Sequence, residues 1–287
     1  MKYAFIRAHS EAHAVVRLCD LLNVSTSGYY DWRDRPQSNR SRENRELTGK
    51  IYSFHQRSNG LYGSPKIHKD LLADGERCGV NRVARLMRAS QLQSKLTPQF
   101  VATTDSKNTR TPAPDLLRRD FTYSKPNEAW VTDTTFIPTR KGWLYLATVL
   151  DLYSRKVIGW AMNKKNDSEL VYKALLMALW RRGFPCNTIV HSDQGSTYAS
   201  AKYQDLLQRH SLVCSMSRKG DCFDNAVAES FFGSLKNEQV YHDDYMNHDQ
   251  AKQSIFKYIE VFYNRQRRHA YLDYVSPADY EAQAGVN

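Results

Sequence analysis

The stretch IVHSDQGSTY (Ile189–Tyr198) begins with β-branched residues typical of a buried strand and reaches a carboxylate, Asp193, just before a Gln-Gly turn. A strand that ends in an acid has two interpretations. Either Asp193 caps the helix that follows, or it is held at the strand end to bind a metal ion. The second interpretation requires partner ligands from elsewhere in the chain.

The segments around this stretch alternate between strand and helix patterns. EAWVTDTTFIPT and WLYLATVLDLYS, joined by an Arg-Lys-Gly turn, predict a hairpin, and KVIGWAMN predicts a third strand. A helix follows in SELVYKALLMALWRRG, with Ser168 as N-cap and Gly183 as stop. Strand NTIVHSD, helix SAKYQDLLQRH, strand LVCSMS and a long helix from about Asn225 complete the series. This order predicts an α/β fold, a five-stranded mixed sheet flanked by helices.

The first hundred residues carry short helical patterns instead. SPKIHKDLLADG and NRVARLMRAS predict two helices joined by a short turn, with Ser64 as N-cap and Gly75 as stop. The second helix carries Arg82, Arg85 and Arg88, which is typical of a helix-turn-helix. A small helical bundle with a basic surface remains the alternative.

Composition along the chain suggests four segments. Residues 1–100 form the helical, helix-turn-helix-like region, and residues 101–120, polar with two prolines, form a linker. Residues 121–245 form the α/β core, and residues 246–287 form a last helix and a basic tail.

Charge is unevenly distributed over these segments. The net charge is +11, and Lys and Arg exceed Asp and Glu by 9 in residues 1–120 (21 against 12) and by 2 in residues 121–287 (20 against 18). A basic first part indicates a polyanionic partner such as nucleic acid, although solvated basic faces are also common. The second part tolerates acids, so its role is a different one.

Other site classes are disfavoured. The five cysteines are scattered, with no CxxC pair, which argues against a disulfide framework and against a zinc knuckle. The first sixteen residues are too polar for a signal peptide, and no apolar run is long enough to span a membrane. We therefore expect a soluble cytoplasmic protein.

Two further acids qualify as partners of Asp193. Asp133 lies mid-strand between Val131 and Phe136, where an unpaired charge is costly to bury. If the strands of Asp133 and Asp193 are neighbours, the two carboxylates lie side by side and a divalent cation relieves their repulsion. Glu229 lies on the long helix, where it shares one face with Asn225 and Lys236. Taken alone, that face could simply be solvated.

The spacing favours the catalytic interpretation. Thirty-five residues separate Asp193 from Glu229, and Lys236 follows seven positions later. This pattern resembles the DDE motif of transposases and retroviral integrases. The contexts NEAWVTDTTFI, HSDQGSTYAS, GDCFDNAVAESFFGSLKNE and YNRQRRHAYLDYVSPADY are similar to the second-frame product (OrfB) of the bacterial insertion sequence three family. LCDLLNVSTSGYYDWR and YGSPKIHKDLL are similar to the amino-terminal helix-turn-helix region of that family.

The resemblance implies a ribonuclease H-like core that cuts DNA at insertion-sequence ends and joins the freed 3′-OH to target DNA. It implies Asp133, Asp193 and Glu229 as catalytic residues and as ligands of two Mg²⁺ or Mn²⁺ ions, and oxygen-only ligands suit such hard cations. It also implies a homo-oligomer in the synaptic complex. A bacterial, nucleoid-associated protein is expected.

DNA contacts are expected on both parts of the chain. Lys236 is expected at a phosphate near the cut, and Asn225 orients Glu229 or the DNA. For the arginines the alternative is a plain basic surface. The expected contacts are Lys236, Asn225, Arg82, Arg85, Arg88, Arg265, Arg267 and Arg268.

Several nearby residues have weaker claims. His191 and Gln194 either assist the site or shape the turn, and Phe232 either stacks on a flipped base or packs in the core. Asp151 is interpreted as a turn residue and Asp224 as the N-cap of the long helix.

Departures from the family pattern are few. The tail has Asp273 where a glycine is expected, and Thr197 replaces a longer polar residue. The chain also lacks the apolar heptads of the first-frame (OrfA) product. It is therefore expected to act with OrfA or as the carboxy-terminal part of a frameshift fusion.

Overall fold

A computed structural model describes residues 1–36, 38–95, 113–217 and 225–285. The chain divides into two compact units, Met1–Gln93 and Ser94–Asn287. No helix in these ranges combines the length and the apolarity needed to cross a membrane.

The first unit is all-helical. Its first three helices pack around the buried side chains of Ile6, Leu18, Cys19 and Tyr29. The next three pack on one another through Ile51, Ile67 and Val83, among other buried residues. The six helices are α1 (Lys2–His9), α2 (Val15–Leu21), α3 (Thr26–Asp34), α4 (Asn39–Arg57), α5 (Ser64–Ala73) and α6 (Val80–Ala89).

The predicted pair α5 and α6 is present, with small shifts at the ends. Gly63 is the N-cap of α5, and Ser64 is the first helical residue rather than the cap. Gly75 follows the end of α5 with a φ of +86°, a backbone conformation that favours glycine. The apolar residues Val83 and Met87 of α6 are buried, and Arg85 and Arg88 lie on its exposed face, whereas Arg82 is partly buried.

The second unit contains the predicted five-stranded mixed sheet. The strand order is β3-β2-β1-β4-β5, in which β1–β2 and β2–β3 are antiparallel and β1–β4 and β4–β5 are parallel. The strands are β1 (Ala129–Thr139), β2 (Gly142–Asp151), β3 (Val157–Asn163), β4 (Ile189–Ser192) and β5 (Val213–Met216).

Helices cover both faces of this sheet. One face packs on α7 and α8 through Trp130, Val149 and Val190. The other packs on α9, α10 and a π-helix through Val131, Leu146 and their neighbours. These helices are α7 (Ser168–Arg182), α8 (Ala201–Arg209), α9 (Ala226–Glu238), α10 (His248–Phe256) and the π-helix (Lys257–Tyr263), with α11 (Pro277–Gln283) near the end of the chain.

Capping fixes the ends of α7. Asp167, one residue before the predicted Ser168, is its N-cap and accepts a hydrogen bond from the Leu170 N–H at 3.1 Å. Gly183 ends the helix in the left-handed conformation, as predicted.

Residues on both sides of the predicted core also pack on the second unit. Residues 101–112 of the predicted linker lie outside the described residues, but Leu117 is buried and the Leu116 N–H donates to Ser215 Oγ at 3.0 Å. The interpretation of residues 113–120 as linker is therefore wrong, because Ala113 and Leu117 pack on the core of the sheet unit. After residue 246, Ala251, Ile255 and Ile259 enter the same core, so much of this segment is structural.

Candidate active site

The register of the sheet brings Asp133 and Asp193 to the same level. Strands β1 and β4 run parallel, and the last pair of their ladder is Val131 opposite His191. Two residues further along, the chains reach Asp133 and Asp193. Strand β4 ends at Ser192, whereas β1 continues to Thr139. The two acids therefore lie just past the end of β4, where β1 has lost its neighbour on that side.

The pKa of Asp133 shows that other carboxylates lie near it. Burial is the main cause that raises the pKa of Asp133 to about 8, and the charge of Asp193 adds to it, with a smaller contribution from Glu229. The Thr134 N–H, which donates to Asp133 Oδ1 at 2.7 Å, and the ammonium of Lys236 act in the opposite direction. Asp133 is therefore a carboxylate held among like charges.

A tight turn holds Asp193. Its Oδ1 accepts the Gly195 N–H at 2.8 Å, and burial raises the pKa of its carboxyl. A methyl group on Gly195 would lie 2.8 Å from the same oxygen, so any larger residue there would displace this carboxylate. The helix that follows, α8, is capped by Ser200, whose hydroxyl accepts the Tyr203 N–H. The capping interpretation of Asp193 is therefore wrong.

Helix α9 contacts β1 at two points. Near its start, the Asn225 side chain donates to the Thr132 carbonyl at 3.5 Å. Further along, Lys236 Nζ lies 4.9 Å from the centre of the Phe136 ring. Eleven helical residues and four strand residues both span roughly 13–17 Å, so α9 runs along β1. Glu229, four residues after Asn225, then lies near the level of Asp133.

The three polar residues of α9 differ in environment. Most of the Glu229 side chain is accessible to solvent, but the neighbouring protein still displaces enough water to raise the pKa of its carboxyl. Burial lowers the pKa of Lys236, which Asp133 partly offsets. Asn225 is buried and is the N-cap of α9; its Oδ1 has no hydrogen-bond partner within the described ranges. Asp224, which the sequence predicts as the N-cap, lies outside the described residues.

The site suits a hard cation in its chemistry. Across residues 1–36, 38–95, 113–217 and 225–285, no three His, Cys, Asp or Glu side chains are close enough to hold a metal ion as they stand. The candidate ligands are all carboxylates, which divalent oxygen-loving ions prefer. An ion beside Asp133 and Asp193 would also remove the repulsion that raises the pKa of Asp133. The donor set therefore fits Mg²⁺ or Mn²⁺.

Neighbouring residues support the turn. His191 is fully buried, with its Nδ1 2.8 Å from Ser215 Oγ, and the Gln194 side chain donates to the Ser217 carbonyl at 2.9 Å. Both tie β4 to the β5 side of the sheet, which agrees with the turn-shaping interpretation. Phe232 is buried in the core, so the packing interpretation is confirmed for that residue.

Asp151 has the predicted turn role, since its Oδ1 accepts the Tyr153 N–H at 3.0 Å, and it also belongs to a buried ionic cluster. It lies at the end of β2 and pairs with Arg182 at 3.2 Å, while Arg182 also pairs with Glu281. Lys156 and Ser154 bind the same Glu281 at 2.6 and 2.7 Å. The cluster fixes α11 to the sheet, a structural role that the local sequence did not reveal.

The arginines expected at DNA fall into two groups. Arg85, Arg88 and Arg265 are exposed. Arg82 donates to Asn44 at 2.9 Å and pairs with Glu43 at 3.1 Å. Arg268 donates to the Tyr274 carbonyl at 2.8 Å.

Arg267 differs from these. Its guanidinium donates three hydrogen bonds to the buried carboxylate of Glu238, at 2.7, 2.8 and 3.0 Å. The Tyr258 hydroxyl donates to the same carboxylate at 2.7 Å. Glu238 accepts from the guanidinium N–H groups that would otherwise bind a phosphate. We therefore no longer expect Arg267 to contact DNA.

Sequence reasoning missed three residues near the acids. Gly195 is one of them; its signal was its position two residues after Asp193. Tyr198 is buried with its hydroxyl 3.4 Å from Thr132 Oγ1, and its pKa is raised by burial and by both aspartates. Thr148 lies opposite Asp133 on β2 and is fully buried.

Comparisons with known proteins agree with the geometry. Residues 123–222 and 229–284 match two families described as integrase core domain, and residues 41–100 match an HTH-like domain. The transposase InsF of insertion sequence IS3A from Escherichia coli K12 is 40% identical over 283 residues, 98% of each chain. An uncharacterized 31 kDa protein of insertion element IS600 from Shigella sonnei is 41% identical over 91% of this chain and 96% of its own.

Solved structures are more distant. The catalytic core of HTLV-2 integrase in complex with magnesium is 18% identical, with a TM-score of 0.42, over 54% of this chain and 96% of that one. The catalytic domain of Mos1 mariner transposase is 13% identical, with a TM-score of 0.40, over 47% and 71%.

Proposed function

The chain belongs to the transposase family of insertion sequence IS3, and from this membership we propose which of its residues cut and join DNA. As a member of that family it is a polynucleotidyl transferase that cleaves DNA at insertion-sequence ends and transfers the freed strand. We assign the catalytic role to Asp133, Asp193 and Glu229. The observation that supports this assignment is the β1–β4 register, in which Asp133 and Asp193 each follow the last pair, Val131–His191, by two residues.

A divalent cation, Mg²⁺ or Mn²⁺ with two ions expected, would supply charge neutralisation and polarise the attacking and leaving oxygens. Asp133, central among the acids, would hold both ions, and Asp193 and Glu229 would hold one each. The raised pKa of Asp133 supports this role, because a buried acid beside other acids is the position that gains most from a cation.

Both steps of the reaction would use the same three acids. In cleavage, water attacks the phosphorus at the element end, the bond to the 3′-oxygen breaks, and that oxygen leaves as a hydroxyl. In strand transfer this 3′-hydroxyl attacks a target phosphodiester, and the bond from phosphorus to its leaving oxygen breaks. The carboxylates would act on the phosphate through the cations they would hold, which would favour in-line attack without a covalent link to the enzyme.

Lys236 and Asn225 would serve the DNA rather than the cation. Lys236 has no carboxylate salt-bridge partner within 4 Å among the residues described, and it lies beside the acids, where it can neutralise a phosphate of the cleaved strand. Asn225 joins the start of α9 to β1 and would hold Glu229 at the level of Asp133.

The first unit would bind the element ends. It overlaps the HTH-like match at residues 41–100, and Arg85 and Arg88 are exposed on α6, away from its buried face. Arg265 on the second unit would add a phosphate contact.

Joining two ends requires at least two copies in the synapse, with OrfA as a further partner. We place this activity at the nucleoid in the bacterial cytoplasm.

Labelled element ends test the assignment. Wild type and Asp193→Asn are compared for Mg²⁺-dependent cutting and joining, with binding of the same DNA followed in parallel. We expect the variant to bind DNA but to lose both reactions by at least about a hundredfold.

Two outcomes would redirect the proposal. Unchanged cutting and joining by Asp193→Asn would remove the acid triad from catalysis and favour a DNA-binding regulator. Cutting without joining by the wild type would indicate a nuclease of the ribonuclease H type.

A further inference from the structure

Thr148 interrupts a row of leucines on the face of the sheet that carries Asp133. On this face β2 presents Leu144, Leu146 and Leu150, each buried in the core against α9 and α10. Thr148 falls in the same row because residues of a strand alternate between faces. A hydroxyl therefore replaces an apolar side chain at one position of the row.

That position is directly opposite the candidate catalytic acid. The antiparallel register pairs Asp133 with Thr148, between the pairs Val131–Leu150 and Thr135–Leu146. Side chains that face each other in an antiparallel pair lie on one face with their Cβ atoms about 4.5–5.5 Å apart. The hydroxyl is thus within a side-chain rotation of the Asp133 carboxylate.

The hydroxyl is unsatisfied as the structure stands. Thr148 is fully buried, and its Oγ1 has no hydrogen-bond partner among the residues described. A buried hydroxyl without a partner destabilises a fold, and a valine of the same shape would avoid that cost. The Thr134 N–H donates to Asp133 Oδ1. Asp133 Oδ2 accepts no hydrogen bond from the residues that the structure describes.

We propose that Thr148 is a positioning residue for Asp133, donating its hydroxyl hydrogen to the carboxylate when that group is ionised and holds a divalent cation. The proposal rests on the proposed function, because it requires Asp133 to be a metal ligand. The hydrogen bond would fix the rotation of the carboxylate so that its remaining lone pairs point toward the site. Residues that orient metal ligands in this way typically contribute tenfold to a hundredfold to metal affinity.

A matched pair of variants separates the hydroxyl from the volume of the side chain. Thr148→Val keeps the shape and removes the hydroxyl, whereas Thr148→Ser keeps the hydroxyl and removes a methyl group. The full chain is titrated with Mn²⁺ alone, and the rise in Tm gives the concentration for half of the maximal effect. Asp133→Asn serves as the variant without the ligand.

We expect Thr148→Val to melt at a higher temperature than wild type in EDTA and to require about tenfold more Mn²⁺ for half of the shift. Thr148→Ser should melt lower in EDTA and keep the wild-type Mn²⁺ dependence. Strand transfer should follow the same order of Mn²⁺ requirement.

Two results would overturn the proposal. Equal Mn²⁺ dependence of wild type and Thr148→Val would show that the hydroxyl does not act on the ligand, and equal weakening in both variants would show that only volume matters. If instead Mn²⁺ leaves the Tm of wild type unchanged, or shifts wild type and Asp133→Asn alike, the metal role of Asp133 fails and the proposed function fails with it.

Discussion

At the scale of single residues, burial and the neighbouring charge of Asp193 both oppose the ionisation of Asp133. Asp133 was visible because a charge interrupts an apolar strand, and Glu229 because its distance from Asp193 matches a known motif. Gly195 and Thr148 were missed, since their roles depend on which atoms lie beside them after folding. Arg267 was misinterpreted because a basic run does not show that Glu238, nearly thirty residues earlier, occupies its guanidinium.

Replacing Asp133 with asparagine should stabilise the metal-free protein at pH 8. The folded-state pKa of about 8 exceeds the ordinary value of 3.8, so the contribution of this group is fully present below pH 3.8 and is lost as the pH rises toward 8. Asparagine carries no such penalty. We expect a gain of roughly 1–3 kcal/mol at pH 8 that shrinks toward pH 5, measured by denaturant unfolding in EDTA.

The same variant provides an internal control. Mg²⁺ should stabilise wild type and leave Asp133→Asn unchanged, since the variant lacks the ligand. A variant that is less stable than wild type at pH 8 in EDTA would contradict the like-charge environment described for Asp133.

At the scale of helices and strands, periodicity predicted the order and type of the elements in the sheet unit. The errors lie at the ends: Asp167 and Gly63 are the caps where the following serines were expected. At α7, aspartate and serine both accept N–H hydrogen bonds, so two candidates in a row do not decide the cap; at α5, Gly63 caps without any side-chain hydrogen bond. The π-helix was also not predicted, because its apolar spacing differs little from that of an α-helix.

Gly159 tests the contact between the sheet and α7. A methyl group there would clash with the Ala174 carbonyl oxygen and lie 2.8 Å from the Ala178 backbone nitrogen. Both are backbone atoms of α7 that cannot rotate away, so Gly159→Ala should cost roughly 2–4 kcal/mol and lower the Tm by about 5–15 °C. Calorimetry measures the change. Gly233→Ala on α9, where nothing lies within 4 Å of the added group, should raise or preserve the Tm.

The link between α9 and the segment after the π-helix is a second test at this scale. Arg267→Ala would leave the carboxylate of Glu238 buried without its cation, which should destabilise the protein by roughly 3–5 kcal/mol. Arg265→Ala, two residues away and exposed, should leave the Tm unchanged and weaken DNA binding. Thermal melts and DNA titrations of both variants separate the two roles, and an unchanged Tm for Arg267→Ala would contradict the structural role.

At the scale of the whole molecule, the two compact units differ in charge: residues 1–93 carry a net charge of +7 (16 Lys and Arg against 9 Asp and Glu) and residues 94–287 carry +4 (25 against 21). Composition indicated that the basic first part and the more neutral second part have different tasks. Composition extended the predicted linker over too many residues, because Leu117 lies in a polar, proline-containing stretch and yet packs on the sheet unit. Ionic contacts such as Arg182–Glu281 connect residues about a hundred positions apart, so no local pattern could predict them.

Salt dependence tests whether the first unit carries the electrostatic part of DNA binding. Each phosphate contact contributes about 0.9 to the slope of log affinity against log salt concentration on duplex DNA. Replacing both Arg85 and Arg88 with alanine should therefore reduce that slope by about 2 and weaken binding most at low salt. Arg209→Ala removes an exposed arginine of the second unit that is paired with Asp205, and its slope should match wild type. A double variant with the wild-type slope would show that α6 does not meet the phosphate backbone.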